Sequence, residues 1–221
     1  MVQTSFIRNR PALTPEVLLR AYSTGIFPMS ESRDASEIFW VDPTDRGILP
    51  MNGFHISRSL AREIKRQRYA IRIDTAFSGT IEACADREDT WINDEITALY
   101  EGLFQIGHAH SIEVWEGNQL VGGAFGVSTA AAFFGESMFS LRPNTSKIAL
   151  AYLISRLKVG GYRLFDTQFM TPHLASLGGI EVPRARYHAM LSAALSREGD
   201  FYAQPEPVDY QDVLQLRTQT S

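Results

Sequence analysis

The chain has 221 residues, of which 44% are hydrophobic and 21% are charged. These values are close to globular averages and exclude disordered and collagen-like chains. The formal net charge of −4 at pH 7 argues against a dedicated duplex-DNA binder. A single cysteine rules out an internal disulfide, and neither a secretion signal nor a membrane span is recognisable. We therefore expect a cytoplasmic protein that binds neither DNA nor a membrane.

The first predicted element is a short amphipathic helix over residues 14–24. Thr14 suits its N-cap, Pro15 its first position and Gly25 its end. Residues 26–50 contain three prolines and show no sustained periodicity, so they are interpreted as an irregular connector that closes a small N-terminal unit.

The middle of the chain is predicted to be helical and then extended. A helix capped by Ser57 is followed by a short strand at 69–74 and by helices at 77–85 and 94–106. Strands are predicted at 111–115, 119–125 and 131–140, the first two joined by a turn at Gly117.

A strong helix is predicted at 146–158, a buried strand at 164–169, and helices at 172–178 and 184–196, with an irregular tail from Gln204. This order of elements indicates an α+β or mixed α/β fold with one principal sheet.

Two carboxylates interrupt apolar strands, Glu136 within 135–140 and Asp166 within 164–169. A charge in such a run is costly to bury unless it is paired or used in chemistry. Gln168, two residues after Asp166, shares its strand face, so the two side chains form a candidate pair for handling a proton. A structural ion pair is the alternative.

Cations concentrate between residues 58 and 72, mostly on one helix face. Such a patch suits the phosphates of RNA or a nucleotide, although a solvated helix face is the alternative. The cations are Arg58, Arg62, Lys65, Arg66, Arg68 and Arg72.

Other candidate sites are weaker. His108, His110 and Glu113 lack a further ligand cluster, so ordinary hydrogen-bonded side chains are favoured and no metal site is predicted. Cys84 has no adjacent base and is expected to be a packed thiol. The segment 141–146 ahead of the strong helix contains no glycine, which argues against a phosphate-binding turn for acyl-CoA.

Eight motifs together resemble the family of bacterial leucyl/phenylalanyl-tRNA–protein transferases. They lie in the family's order and cover about residues 14–190. The motifs are 21–28 (AYSTGIFP), 54–59 (FHISRS), 90–92 (TWI), 107–115 (GHAHSIEVW), 120–123 (LVGG), 135–140 (GESMFS), 146–147 (SK) and 173–178 (HLASLG).

The resemblance implies a small N-terminal domain, residues 1–50, and an acetyltransferase-like (GNAT-type) domain, residues 51–221. It implies transfer of Leu or Phe, and less readily Met, from aminoacyl-tRNA to the N-terminal Arg or Lys of acceptor proteins, which marks them for degradation. No cofactor is implied. An acyl-CoA-dependent N-acetyltransferase and a noncatalytic tRNA-binding protein are the alternatives.

The resemblance also assigns site residues. Asp166 and Gln168 match the family's catalytic pair, with Gln168 expected to hold the acceptor amine and Asp166 to orient Gln168 and help withdraw a proton. The family's tRNA-binding cations match Arg58, Arg62 and Arg66, and Lys65 on the same cationic segment is expected to bind tRNA with them. The substrate-binding positions are Trp91, Phe133, Glu136, Met138, Ala124 and Met29, of which Met29 replaces a frequent Trp and Ala124 a frequent Met.

Overall fold

A computed structural model describes residues 13–35 and 37–216. The first helix, α1 (Pro15–Ser23), begins as predicted, with the Thr14 hydroxyl accepting a hydrogen bond from the backbone N–H of Val17. The part of the tail prediction that falls on residues 217–221 lies outside the described residues.

The prediction of an irregular connector after α1 is wrong. The connector forms a hairpin of β1 (Phe27–Ser30) and β2 (Ile38–Val41), followed by β3 (Asp45–Ile48), which joins the main sheet between two later strands. Each of these strands has only four residues, which is too short to produce a recognisable alternation of apolar and polar residues.

The remaining predicted helices and strands are present, with small shifts at their ends. Besides β1 to β3, the structure contains two further elements that were not predicted: β9, and a final helix, α8, in the tail that was expected to be irregular. The elements are α2 (Arg58–Lys65), β4 (Ala70–Ile73), α3 (Phe77–Ala85), α4 (Asp94–Gln105), β5 (Ala109–Glu116), β6 (Gln119–Thr129), β7 (Ala132–Ser140), α5 (Thr145–Val159), β8 (Leu164–Gln168), α6 (Pro172–Ser176), β9 (Ile180–Pro183), α7 (Arg184–Leu195) and α8 (Tyr210–Gln215).

In the part of the chain that the structure describes, seven strands form one mixed sheet in the order β4-β5-β6-β7-β8-β3-β9. Helices α2, α5 and α8 pack on one side, here called the α5 face, and α1, α3, α4 and α7 pack on the other, the α4 face. Each face has its own apolar core, so the sheet is buried between two helical layers. The structure thus confirms a mixed α/β fold with one principal sheet.

Strands β7 and β8 run parallel, but in the described part of the chain they pair at only three positions, the last being Phe134 opposite Asp166. Both strands continue beyond that point, so a gap opens in the sheet there. A β-bulge also shifts the register of β7 against β6, because Ser137 lies opposite Phe125 whereas Gly135 lies opposite Gly126. Glu136 is the extra residue of this bulge, a feature that commonly redirects a side chain near a functional site.

No helix in the described part of the chain has the length and apolarity needed to cross a membrane.

Candidate active site

The gap between β7 and β8 is bridged by two polar side chains. The Gln168 amide nitrogen Nε2 donates to Glu136 Oε1 at 3.0 Å. Glu136 is 8% exposed and Gln168 is 7% exposed, so both are nearly buried but still reach the protein surface. The structure therefore brings together two of the residues that the sequence singled out.

The backbone of Gln168 has an unusual conformation at the end of β8. Its φ of 63° lies in the left-handed region that non-glycine residues seldom occupy and that recurs at functional sites. The backbone N–H of Gln168 donates to Asp166 Oδ1 at 2.7 Å. Asp166 therefore holds Gln168 through its main chain and not through its side-chain amide.

Asp166 is fully buried and its carboxylate is occupied by strong donors. Arg46 donates through Nε to Oδ1 at 2.9 Å and through Nη2 to Oδ2 at 2.6 Å, which is a bidentate ion pair. The Tyr187 hydroxyl donates to Oδ2 at 2.7 Å. With the Gln168 main chain also bound, both carboxylate oxygens are engaged.

Arg46 is in turn held on all sides. Its guanidinium lies 4.5 Å from the ring centre of Phe27 and 4.4 Å from that of Tyr187, and Nη1 donates to the Gly25 carbonyl at 2.9 Å. Despite burial, which lowers the pKa of Arg46, the Asp166 carboxylate raises it above its ordinary value. The cation thus links the N-terminal segment to the strand that carries Asp166 and Gln168.

Glu136 is surrounded by two fully buried tyrosines. The Tyr22 hydroxyl donates to Oε1 at 2.7 Å and the Tyr100 hydroxyl donates to Oε2 at 2.6 Å. Burial is the dominant influence and raises the pKa of the Glu136 carboxyl to about 7, although the hydrogen bonds it accepts work in the opposite direction. Glu136 can therefore change its protonation state near neutral pH.

The predicted substrate-binding residues lie on both sides of the sheet. Half-buried Trp91 is next to the site, with its ring 6.4 Å from that of Tyr100, and half-buried Met29 packs with it into the core of the α4 face. Phe133, Ala124 and Met138 belong to the core of the α5 face. The structure does not collect all of these side chains on one side of the sheet.

The predicted cationic surface is on α2, which packs on the α5 face, and on Arg66, which caps the C-terminus of that helix. Arg58, Arg62, Lys65 and Arg66 are all exposed. Glu63 forms ion pairs with Arg66, at 2.6 Å, and with Arg68, at 2.5 Å. The surface is hereafter called the α2 basic face, defined by Arg58, Arg62, Lys65 and Arg66.

The residues considered for other chemistry have ordinary structural roles. His110 Nδ1 lies 2.8 Å from Asp74 Oδ2, and His108 Nδ1 lies 2.9 Å from the Ser128 carbonyl. Burial raises the pKa of Cys84 to about 12, so it is a neutral packed thiol. Within residues 13–35 and 37–216, no group of three or more His, Cys, Asp or Glu side chains is arranged to hold a metal ion.

Four residues of the site were not singled out by the sequence: Arg46, Tyr187, Tyr22 and Tyr100. Tyr22 lies within one of the eight motifs, but nothing in its spacing connects it to Tyr100 or to Glu136. Arg46 lies in the segment interpreted as a connector, and only recognition of β3 reveals its partner.

Comparison with known proteins agrees with this arrangement of motifs. A family profile described as "Leucyl/phenylalanyl-tRNA protein transferase" matches residues 48–192, and a second, described as the "Leucyl/phenylalanyl-tRNA protein transferase N-terminal domain", matches residues 12–44. A leucyl/phenylalanyl-tRNA–protein transferase from a strain of Cereibacter sphaeroides is 60% identical over 96% of this chain and 99% of that protein. Another leucyl/phenylalanyl-tRNA–protein transferase, from Ruegeria pomeroyi, is 56% identical over 95% of this chain and 100% of that protein.

Among solved structures, that of L-PGS from Bacillus licheniformis is similar, with a TM-score of 0.40 and 14% identity over 73% of this chain and 55% of that chain. The two family matches together span most of the chain, and the similarity to the curated relatives is close. The chain belongs to the leucyl/phenylalanyl-tRNA–protein transferase family.

Proposed function

We propose that this protein transfers Leu or Phe, and less readily Met, from aminoacyl-tRNA to the α-amino group of an N-terminal Arg or Lys, creating a degradation signal on the acceptor protein. The observation that carries the proposal is the Glu136–Gln168 pair at the gap between β7 and β8. It supplies a carboxyl group and an amide at one site that reaches the surface, within a chain of this family.

The reaction needs positioning and proton transfer. Aminolysis of an aminoacyl ester gives an amide and is downhill, so no ATP or cofactor is required as a driving force. An α-amino group has a pKa of roughly 7.7–8.0, so a useful fraction is neutral near pH 7. Holding the two substrates in contact therefore contributes much of the rate.

Gln168 holds the attacking amine in this proposal. Its Nε2 is bound to Glu136, which directs its carbonyl oxygen Oε1 to accept a hydrogen bond from an amine N–H. Asp166 acts as a positioning residue, because its carboxylate already accepts bonds from Arg46, Tyr187 and the Gln168 main chain. This differs from the expectation that Asp166 itself helps withdraw the proton.

An apolar pocket accounts for the donor class, since Leu, Phe and Met gain free energy by burial whereas polar side chains leave unpaired groups. We propose that this pocket lies near the gap and that its lining comes from Trp91 and Met29, which belong to the core of the α4 face, and from Phe133, Ala124 and Met138, which belong to the core of the α5 face. In this proposal Glu136 binds either the donor's amino group or the acceptor's cationic side chain.

The α2 basic face binds the tRNA backbone in this proposal. Its four cations are exposed and lie on one short helix and its C-cap, so they can neutralise several phosphates together. The α2 basic face reconciles a nucleic-acid partner with the net charge of −4, because only part of the surface has to be cationic.

We also propose an acetyltransferase-like (GNAT-type) fold for residues 51–221, supported by the parallel strands that pair briefly and then separate. The division at residue 50 is a proposal as well; β3, at the end of the first range, lies within the main sheet. A cytoplasmic location follows from the donor, since aminoacyl-tRNA is a cytoplasmic substrate.

The test is to incubate the protein with leucyl-tRNA and a peptide that begins with Arg, and to determine the product by mass spectrometry. The expected product carries one added leucine on its α-amine, and the same peptide with an acetylated N-terminus serves as the unreactive control. Intact aminoacyl-tRNA with unmodified peptide would refute the transferase proposal. Acetylation of the peptide by acetyl-CoA would support the acetyltransferase alternative instead.

A further inference from the structure

Three oxygen-bearing side chains at the site form a closed ring of short contacts. Tyr22 contacts Glu136 Oε1 at 2.7 Å, Tyr100 contacts Glu136 Oε2 at 2.6 Å, and the two tyrosine hydroxyls lie 2.9 Å apart. We call these three side chains the hydroxyl–carboxyl ring. All three distances are within the range of O–H···O hydrogen bonds.

The number of protons on the ring determines how many of its three contacts are hydrogen bonds. With Glu136 ionised, the two phenols supply only two protons for three contacts, so one pair of oxygens faces each other without a hydrogen. A third proton on Glu136 allows each member to donate once around the ring, which satisfies every contact. An unsatisfied buried polar contact is costly. The ring is therefore suited to take up one proton on Glu136 and to release it again.

The ring is joined through Glu136 to Gln168, the proposed binding residue for the amine. Tyr22 and Tyr100 are 0% exposed, whereas Glu136 is 8% exposed, and Gln168 donates to the same carboxyl group. In this proposal Glu136 is therefore the member of the ring that a bound amine approaches, because it alone of the three contacts Gln168. Asp166, by contrast, is 0% exposed and paired with Arg46.

We propose that the hydroxyl–carboxyl ring is the proton acceptor of the transfer reaction, with Glu136 as a catalytic residue and Tyr22 and Tyr100 as positioning residues. This inference rests on the proposed function and assigns a new role within that site. The neutral amine attacks the ester carbonyl carbon, so the C–N bond forms and the bond from that carbon to the tRNA ribose oxygen breaks. The proton lost from the nitrogen passes to Glu136, which returns it to the departing ribose oxygen, so the ring ends unchanged.

The surroundings favour a proton-sharing carboxyl group. Burial raises the pKa of Glu136 to about 7, and the nearby Asp166 carboxylate also raises it. Burial raises the pKa values of Tyr22 and Tyr100 well above their ordinary values, so both remain donors. The titratable groups that contact Glu136 are Tyr22 from α1 and Tyr100 from α4, and the Asp166 carboxylate acts on it from β8. Arg46 from β3 and Tyr187 from α7 bind Asp166. On the strand of Glu136, Cys84 from α3 contacts Ser137, and Arg87 donates to Ser137 Oγ and the Met138 carbonyl.

The experiment measures single-turnover transfer of leucine to an Arg-initiated peptide between pH 5.5 and 9. Wild type is compared with Tyr100→Phe and Glu136→Gln. Tyr162→Phe is the matched control, because that buried hydroxyl bonds Ser128 in the other core. The amine of the peptide gives the same pH dependence in every variant, so any difference between variants comes from the protein.

Loss of the Tyr100 donor is expected to move the rising limb of the pH–rate profile upward by roughly one unit, because a hydrogen bond to the ionised carboxylate is removed. Tyr162→Phe leaves the limb in place. Glu136→Gln, which preserves size but cannot take up the proton, is expected to lower the rate by about 10²-fold or more.

The proposal is overturned if Tyr100→Phe keeps the wild-type limb, or if a folded Glu136→Gln reacts at close to the wild-type rate. If Glu136→Gln does not fold, the position of the rising limb in the pH–rate profile of Tyr100→Phe tests the proposal by itself. A wild-type protein that transfers no leucine refutes the proposed function itself, whereas a wild type that is active together with unaltered variants refutes only the proton-acceptor role.

Discussion

Arg46 and Asp166 form a completely buried ion pair: both side chains are 0% exposed and Arg46 Nη2 lies 2.6 Å from Asp166 Oδ2. The pair joins a short strand near the N-terminus to the strand that ends at Gln168. Removing one member of such a pair leaves an uncompensated charge in the core. The position of Gln168 therefore depends on a residue 122 positions earlier in the chain.

Replacing Arg46 with Met is expected to lower the free energy of unfolding by about 3–5 kcal/mol, because Asp166 loses its counter-ion. Urea denaturation at pH 7 measures the change. Arg142→Met is the control, since Arg142 pairs with Glu116 at the surface, where the side chains are 43% and 46% exposed, and its loss costs less than about 1 kcal/mol. Similar losses in the two variants would contradict the importance given to the buried pair.

Glu136 predicts a specific dependence of stability on pH. Its pKa in the folded protein is raised from 4.5 to about 7, so between these pH values the folded state retains a proton that the unfolded state has released. Stability from this group is present below pH 4.5 and is lost as the pH rises to about 7, a change on the order of 3 kcal/mol.

The neutral variant Glu136→Gln lacks this contribution. Relative to wild type, its free energy of unfolding is expected to increase between pH 5 and pH 8, as measured by urea denaturation at both values. A constant difference between the two proteins would show that the pKa of Glu136 is not raised.

The α2 basic face predicts how salt affects tRNA binding. Removing one cation that binds a phosphate is expected to reduce the slope of log affinity against log salt by about 0.7–0.9, so Arg58→Ala and Arg62→Ala both flatten it. Filter binding between 50 and 300 mM salt provides the measurement. Arg197→Ala, an exposed cation that follows α7, is expected to keep the wild-type slope; identical slopes in all four proteins would exclude the α2 basic face.

Glu63 gives an independent test of the same surface. Its carboxylate pairs with Arg66 and Arg68, and it therefore competes with phosphate for both cations. Glu63→Gln is expected to tighten tRNA binding and steepen its salt dependence. Weaker binding would show that Glu63 orders the cations for binding rather than competing for them.

The backbone conformation of Gln168 determines which substitutions there preserve stability. With a φ of 63°, glycine suits its backbone, whereas a β-branched side chain is strained there. Gln168→Gly is expected to unfold at nearly the wild-type urea concentration, and Gln168→Val at a clearly lower one. The reverse order would contradict the left-handed conformation.

The sequence predicted those parts of the fold that carry local signals. Thr14 and Pro15 predict the start of α1, and the apolar pattern at 146–158 predicts α5, because caps and helical periodicity are visible over short stretches. Strands β1 to β3 have no such signal, since four residues are too few. The last helix, α8, is only six residues long.

The candidate site was predicted in part for a similar reason. Asp166, Gln168 and Glu136 were recognisable because polar residues interrupt apolar strands, and the family motifs point to the same positions. Their partners were not recognisable, because Tyr22 and Tyr100 meet across 78 residues and the bulge that redirects Glu136 depends on the register of β6 against β7. Tertiary pairing of this kind leaves no pattern in the sequence.

The most direct test of the Glu136–Gln168 pair as the reaction centre is a single-turnover comparison of wild type and Gln168→Gly, with leucyl-tRNA and an Arg-initiated peptide. We predict that wild type adds one leucine to the peptide. We predict that Gln168→Gly does so about 10²-fold more slowly or worse while binding tRNA with unchanged affinity, since the amide that holds the amine is lost but the α2 basic face remains. A folded Gln168→Gly that transfers leucine at the wild-type rate would contradict the assignment of the site.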